Sequence, residues 1–238
     1  MVMQMIRRPL VPITYPTLMF DSVDDYVAVT QYAGINNIFN AGATVEAWIT
    51  ARSLGESNLG RVVAKGSGFQ VFMTSVGGNL YRFTFLATWS TTNGQWRNNT
   101  TLAMYVPTHI AVTYTRDATT TDPLLYVNGL AVAITEIATP VGTASDDSAQ
   151  SLYFGNLDAS AIRTFDGSID GIRLWNVVRT AAQVRQFYGQ HLNGAEANLA
   201  GYWPGRDGTG TTLANKVSGG NNGAITGASW RTRRKGPR

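Results

Sequence analysis

Apolar and polar residues alternate along most of the chain in short runs, which is typical of half-buried β-strands. The run "ATVEAWIT" is the clearest, because Val45, Ala47 and Ile49 share one face and the residues between them share the other. Similar runs recur about every ten residues, with turn residues between them. One such turn, Asn128-Gly129, is typical of a tight hairpin. The pattern predicts an all-β protein built as an antiparallel sandwich or barrel.

One segment has helical spacing instead. "TAAQVRQFYGQ" follows directly on a strand pattern, and Thr180 is a favourable N-cap. Val184, Phe187 and Tyr188 then form one apolar stripe, which predicts a short helix near residues 180–189. A single short helix cannot cover a sheet, so we expect it to pack at the rim of the sandwich with Val184 and Phe187 buried.

Charge divides the 238 residues into a body and two ends. Formal net charge is +4, yet residues 17–230 hold twelve basic and fifteen acidic residues, and the remaining basic residues lie in residues 1–16 and 231–238. We therefore predict an extended N-terminal arm (1–16), one sandwich domain (17–230) and a basic C-terminal tail (231–238). A mildly acidic body does not favour nucleic acid as a partner.

The first residues do not resemble a signal peptide, because prolines interrupt them and arginines follow the apolar residues. No apolar run is long enough to predict a membrane span, so no membrane partner is expected. Cysteine is absent, which excludes disulfides and thiolate metal sites.

Several motifs, taken in order, resemble the laminin-G-like, concanavalin A-like family of lectin jelly rolls. They are "LMFDSVDDYVAV", "ATVEAWI", "HIAVTYT" followed by "LLYVNG", and "FDGSIDGIRLWNVVRTAAQV", whose strand leads straight into a helix. The resemblance implies a two-sheet antiparallel jelly-roll sandwich. "AGYWPGRDGTGTT" through "NNGAITGASW" resembles a segment that often precedes the family's first strand. Because it comes last here, we expect it to return beside the first strand.

The resemblance leaves function open, because the family includes glycan-binding modules, hydrolases and virion proteins. Its hydrolases usually carry catalytic carboxylates as Glu-x-Asp-x-x-Glu on one strand, a motif that this chain lacks, so we expect no enzyme. Related sandwiches sometimes hold calcium, and Asp21, Asp24 and Asp170 match the acidic positions near that site. The preferred alternative is structural, with Asp21 capping a turn and Asp170 pairing with Arg173 or a backbone amide. No cofactor is therefore expected, apart from a possible structural calcium.

The hairpin "ATWSTTNGQWRNNTT" is the candidate glycan-binding site. Trp89 and Trp96 could stack on sugar rings, with Asn93 and Asn98 as hydrogen-bonding neighbours. The alternative, that both indoles pack the hairpin onto the sandwich, is held equal. The other four tryptophans are assigned to core or rim packing.

Three functions remain, in order of preference. The first is a structural component of a phage or virus particle, a capsid decoration or tail protein that attaches through its ends. The second is a free-standing glycan-binding or adhesion module, and the third is a glycoside hydrolase. The first function implies virion subunits or coat protein as partners, a homo-oligomer, and a location at the virion surface or outside a cell. Its predicted contact residues in the two ends are Arg7, Arg8, Leu10, Tyr15, Arg231, Arg233, Arg234 and Lys235.

Overall fold

Two antiparallel sheets make up most of the structure, a computed structural model that describes residues 14–160 and 162–234. The strands, in chain order, are β1 (Thr14–Asp21), β2 (Tyr26–Val29), β3 (Ala43–Ala51), β4 (Arg61–Lys65), β5 (Phe69–Gly77), β6 (Leu80–Ala87), β7 (Gly94–Asn98), β8 (Leu102–Ala103), β9 (Thr108–Tyr114), β10 (Leu124–Val127), β11 (Leu130–Val132), β12 (Ile134–Ala138), β13 (Leu152–Phe154), β14 (Asp166–Trp175), β15 (Leu199–Trp203), β16 (Thr212–Leu213), β17 (Gly223–Thr226) and β18 (Ser229–Arg234). The helices of the described part are α1 (Ala181–Phe187) and three 3-10 turns, Ala33–Ile35, Ile38–Asn40 and Glu56–Asn58. None of these helices has the length and hydropathy of a membrane span.

Strands that are distant in sequence lie side by side in both sheets. Sheet I has the order β11-β10-β9-β3-β14-β1-β18, with β15 also paired to β14. Sheet II has the order β12-β7-β6-β5-β4-β13-β2-β17-β16, with β8 paired to β6. The chain crosses repeatedly between the sheets, as in a jelly roll, and the predicted fold class is confirmed.

The core lies between the two sheets. From sheet I, Val45, Ala47 and Ile49 point inward and are at most 3% exposed, as the alternation in β3 predicts. From sheet II, Phe83 and Phe85 belong to the same hydrophobic cluster and have no exposed surface. Burial of such side chains contributes about 1.5–3 kcal/mol each relative to exposure, so this layer supplies most of the stabilisation.

The two ends of the described chain pair with each other. β1 and β18 are antiparallel, from Thr14 opposite Arg234 to Met19 opposite Ser229, and β17 lies beside β2. The expectation that the C-terminal segment returns beside the first strand is therefore confirmed. Strand pairing also extends beyond the expected limits of 17 and 230, so β-structure includes residues 14–16 and 231–234.

Some of the predicted partner-contact residues belong to this strand pair, and the others lie outside the described residues. The inner members, Tyr15, Arg231, Arg233 and Arg234, belong to the β1–β18 pair, so their backbone is already engaged within the chain. The Arg206 guanidinium also lies 3.7 Å over the Tyr15 ring. The outer members, Arg7, Arg8, Leu10 and Lys235, lie outside the described residues. A partner-binding role for the two ends stays a prediction.

Helix α1 begins with a capping box. The Thr180 hydroxyl accepts from the Gln183 amide, and the Gln183 side chain accepts from the Thr180 amide. α1 packs on the outer face of sheet I through Val184, which is fully buried against Ala111 and Tyr126. The predicted helix is confirmed, but Phe187 is only half-buried, with the Arg179 guanidinium 4.7 Å from its ring centroid.

A buried carboxylate lies beneath the segment that follows α1. Glu46 accepts from Trp175 Nε1 at 2.7 Å, pairs with His109 Nε2 at 2.9 Å and lies 3.5 Å from Arg173 Nη1. Burial opposes ionisation of Glu46, but the hydrogen bond from His109 and the charges of His109 and Arg173 outweigh it and lower its pKa to about 2. Arg173 also donates to the Phe187 carbonyl, so this network fixes the end of the helix on the sheet.

We predict that Val184→Ala destabilises the fold by roughly 2 kcal/mol, because the cavity that it leaves lies against two rigid strands. Phe187→Ala should cost less than the ~3 kcal/mol of a fully buried phenylalanine. Denaturant unfolding of the purified variants measures both values. Gln186→Ala, an exposed change on the same helix, is the control and should stay within ~0.5 kcal/mol of wild type. Equal small losses for all three would mean that α1 does not anchor to the sheet.

Candidate functional site

The outer face of sheet II carries a polar surface with no helix over it in the described structure. Alternation places Phe69, Val71 and Met73 of β5 in the core, so Gln70 and Phe72 face outward. The outer face of sheet I, in contrast, is covered by α1 and the segment after it. The accessible sheet surface is therefore that of sheet II.

A groove of about 470 Å³ lies on this face. Gln70 of β5 and Tyr153 of β13 form its floor, and three loop segments form its walls. Its lining residues are Gly66, Gln70, Ala149, Gln150, Ser151, Tyr153, Leu157 and Asp158. Amide, hydroxyl and carboxylate groups therefore surround one aromatic ring. By contrast, the space of about 10 Å³ between the sheets is too small for a ligand.

A buried ion pair fixes the wall formed by residues 149–151. Lys65 Nζ donates to the Asp147 carboxylate at 2.6 Å and to its carbonyl at 2.5 Å, and the Lys65 side chain is fully buried. Burial lowers the pKa of Lys65, against the attraction of Asp147. The Asp147 amide in turn donates to Asn37 at 2.9 Å. Asp147 is therefore a buried anchor of this wall of the groove.

The aromatic residue of the groove is half-buried. Tyr153 lies between the core residues Leu152 and Phe154, so its ring points outward. It packs edge-on against Tyr26 of β2, with the ring centroids 5.9 Å apart. Burial and the nearby Asp158 carboxylate raise the pKa of Tyr153, which keeps its hydroxyl a neutral donor and acceptor at ordinary pH.

Sequence reasoning missed this groove. The alternation in "QSLYFGN" already places Tyr153 opposite to two core residues, so the outward ring could have been found. The contributions of Gln150 and Asp158 could not, because both residues come from loops, and the path of the loop that holds Gln150 depends on the Lys65–Asp147 pair.

The structure corrects the predicted hairpin site. Trp96 is fully buried, stacks on Phe85 at 6.1 Å and donates from Nε1 to Asp122 at 2.7 Å. Trp89 is 6% exposed, so neither indole offers a face to a sugar. Asn93 and Asn98, the predicted hydrogen-bonding neighbours at this site, also have structural roles. Buried Asn98 accepts from the Phe83 amide, and exposed Asn93 accepts from the Trp89 amide. Packing, the alternative held equal, is what the structure shows.

Three acidic residues meet at the turn between β1 and β2. One carboxylate oxygen from each of Asp21, Asp24 and Asp25 lies within 4.8 Å of the others. Asp25 is 3% exposed and accepts from the Asp21 amide at 2.7 Å. Burial, followed by the charge of its acidic neighbours, raises the pKa of Asp25 to about 6. The donors suit a hard cation, and a Cβ on Gly227 would lie 2.2 Å from Asp25 Oδ1, so the glycine leaves space there.

Asp170 does not join this cluster, although the sequence placed it with Asp21 and Asp24. Asp166, not Asp170, is opposite Asp21 across β1 and β14, which leaves Asp170 four residues, or about 13 Å, further along the strand. Its Oδ1 accepts from the Thr17 hydroxyl at 2.6 Å. Asp170 therefore does not belong to a calcium set with Asp21 and Asp24 as predicted, and Asp25 takes the place of Asp170 in the cluster.

Comparison with known proteins agrees with this architecture. The model of a family described as the concanavalin A-like lectin/glucanases superfamily matches residues 21–185. No curated protein matches the chain.

Three solved structures illustrate the likeness. A crystal structure described as a "putative carbohydrate binding protein" from Bacteroides ovatus has a TM-score of 0.69 at 20% identity, over 93% of this chain and 60% of that one. The heptameric SAP-like pentraxin of Limulus polyphemus has a TM-score of 0.59 at 10% identity, over 92% and 95%. The enzymatically active domain of tailspike protein 2 of bacteriophage CBA120 has a TM-score of 0.54 at 14% identity, over 87% and 35%. The chain thus spans less than two thirds of the Bacteroides protein.

We predict that Asp25→Asn stabilises the protein at neutral pH without added cations. Because the folded pKa is raised from 3.8 to about 6, the folded state holds the proton more tightly, and stability falls as pH rises through that window. Asparagine does not ionise, so the variant avoids this loss of stability, and its amide oxygen can still accept from the Asp21 amide. We therefore expect the free energy of unfolding to rise by ~1 kcal/mol at pH 7 and hardly at all at pH 4. Denaturant unfolding at both pH values measures it. Asp24→Asn, an exposed control, should change little, and a destabilised Asp25→Asn at pH 7 would contradict the argument.

Proposed function

The chain belongs to the concanavalin A-like lectin/glucanases superfamily, and from that premise we propose that it is a carbohydrate-binding module that binds its ligand without cleaving it. The groove on sheet II is the proposed site. The observation that carries this proposal is the combination of a half-buried, outward-facing Tyr153 with the amides of Gln70 and Gln150 and the hydroxyl of Ser151 in one groove.

This combination suits a saccharide for physical reasons. A sugar ring has an apolar face that packs on an aromatic ring and a rim of hydroxyls that need hydrogen-bond partners. Side-chain amides both donate and accept, so Gln70 and Gln150 match hydroxyls in either role. The groove's volume of about 470 Å³ lies within the usual range of ligand sites.

Two further points support binding rather than hydrolysis. Glycosidases place two carboxylates across the bond that they cleave, whereas Asp158 supplies the carboxylate among the residues that line this groove. The structural neighbour from Bacteroides ovatus is itself described as a putative carbohydrate-binding protein.

A role in a phage or virus particle is the more specific prediction from the sequence. It depends on partner contacts through residues 1–16 and 231–238, most of which lie outside the described residues. The tailspike neighbour adds a likeness of fold and nothing about assembly. Attachment to virion subunits, homo-oligomerisation and a virion-surface or extracellular location therefore stay predictions, and a particle-bound lectin would be compatible with the groove.

We also propose a structural calcium at Asp21, Asp24 and Asp25. The bound ion would stabilise three neighbouring carboxylates in their charged form and hold the turn between β1 and β2. Because Asp25 is buried, its ionisation is disfavoured until a cation compensates the charge.

Removing Tyr153 should weaken saccharide binding. We expect Tyr153→Ala to lower affinity about tenfold for any oligosaccharide that the wild-type protein binds on a glycan array, because the stacking surface is lost. Titration calorimetry with that oligosaccharide measures the change. Tyr105→Ala is the matched control, since Tyr105 is 61% exposed on a different loop. Equal affinity of wild type and Tyr153→Ala would show that the groove is not the site.

Calcium should raise the melting temperature at pH 7 by a few degrees, because an ion that binds only the folded state stabilises it by mass action. The effect should disappear in Asp25→Asn and remain in Asp170→Asn, since Asp170 lies away from the cluster. Differential scanning fluorimetry with calcium or with a chelator measures it. A calcium shift that persists in Asp25→Asn, or none in wild type, would argue against the proposed site.

A further inference from the structure

Three arginines lie on the outer face of sheet II beside the groove. The register places Arg61 of β4 opposite Phe72, Phe72 opposite Thr84, and Thr84 opposite Arg97 of β7. These side chains form one row across four strands that are each about 4.8 Å apart. Arg82 of β6 precedes Thr84 by two residues and therefore shares the same face. We call Arg61, Arg82 and Arg97 the arginine row.

No carboxylate of the described residues forms an ion pair with this row. Among the described residues, the ion pairs within 4 Å join Lys65 to Asp147 and Glu46 to His109 and Arg173. Neither the Arg82 nor the Arg97 guanidinium makes a hydrogen bond with a described residue, and Nε of each is buried without a partner. Arginine carries five donors in a planar fork, so both side chains retain donors for a planar or tetrahedral oxyanion.

Arg61 also has no acidic partner among the described residues, and its side chain is buried. It is 8% exposed, its guanidinium lies 4.1 Å over the Phe72 ring, and its Nη1 donates to the Leu59 carbonyl at 2.5 Å. Burial, followed by the like charge of Arg163, lowers the pKa of Arg61 to about 10. A buried cation is normally compensated by an anion, which the described residues do not provide here.

The arginine row is connected to the groove. Arg61 Nε donates to Gln70 Oε1 at 2.8 Å, and Gln70 is part of the groove floor. Asp158, the acidic residue of the groove, lies in the loop wall beside Tyr153. The combined surface is therefore polarised. A negatively charged group is attracted toward the arginine row and repelled from the Asp158 wall, so a bound chain has a preferred direction.

We propose that the groove and the arginine row together bind an acidic saccharide, with a neutral ring at Tyr153 and a carboxylate or sulfate at Arg82 and Arg97. This inference rests on the proposed carbohydrate-binding function and adds the charge of the ligand. A nucleic acid is less suitable, because the body from 17 to 230 has more acidic than basic residues and would repel a long phosphate backbone outside this face.

The test compares three oligosaccharides of equal length with the full chain: an oligogalacturonate for carboxylate, a heparin oligosaccharide for sulfate, and a neutral cello-oligosaccharide. We expect at least one acidic ligand to bind about tenfold more tightly than the neutral one at low salt, with the preference shrinking as salt screens the charges. The double variant Arg82→Gln/Arg97→Gln should lose that preference and keep the neutral affinity. Arg185→Gln, on the exposed side of α1, is the control and should behave like wild type. Thermal melting confirms that each variant is folded.

Distinct outcomes would overturn the inference. If neutral ligands bind through Tyr153 while acidic ones bind no better, the proposed function stands and the acidic specificity is wrong. If Arg185→Gln weakens acidic binding as much as the double variant, the attraction is a general surface charge. If single-stranded DNA binds as tightly as the acidic saccharide and is lost in the same variant, the surface is not specific for saccharides. If no saccharide on a broad array binds, both proposals are wrong.

Discussion

The buried ammonium of Lys65 constrains the side of the sandwich on which the groove lies. A charge removed from water costs several kcal/mol unless a partner compensates it, and Asp147 does so with both its carboxylate and its carbonyl. Asp147 is tied to Asn37 by reciprocal backbone-to-side-chain bonds, and Arg116 donates to the neighbouring Ser145 carbonyl. The loop between β12 and β13 cannot move without leaving this charge uncompensated. The groove is therefore formed before any ligand arrives, which lowers the entropic cost of binding.

Features that depend on local sequence could be predicted. The alternation in β3 identified its core face, the Thr180 N-cap located α1, and Asn128-Gly129 turned β10 into β11 with both residues at positive φ. Each of these is decided within a few residues, by side-chain period, by capping or by the φ that a tight hairpin requires. The return of the last segment beside β1 was available only through the family resemblance, because no local pattern specifies a partner more than 200 residues away.

Two kinds of feature could not be predicted in this way: those that depend on strand register, and those that depend on which face of a strand packs against the other sheet. Period-two alternation assigns Trp96 and Arg97 to opposite faces of β7 but does not say which face meets the other sheet. Asp170 was grouped with Asp21 because both match acidic positions near the calcium site of related sandwiches. One register relation, Asp166 opposite Asp21, separates them and leaves Asp25, tied to Asp21 by proximity in sequence, as the true neighbour.

In the described part of the chain, the outer face of sheet I is covered and that of sheet II is not. This difference explains why the accessible polar and charged side chains lie on sheet II. On sheet I, Glu46, His109 and Arg173 face outward but are covered by α1 and the segment after it, so their charges compensate one another. On sheet II no helix of the described residues covers the outer face, and Arg61 itself lies over Phe72, which is only 5% exposed. An arginine that packs its length on an apolar side chain is already held across the sheet. Its charge is then presented in a fixed place without an acidic partner, a state that an anionic ligand can stabilise with little further loss of side-chain freedom.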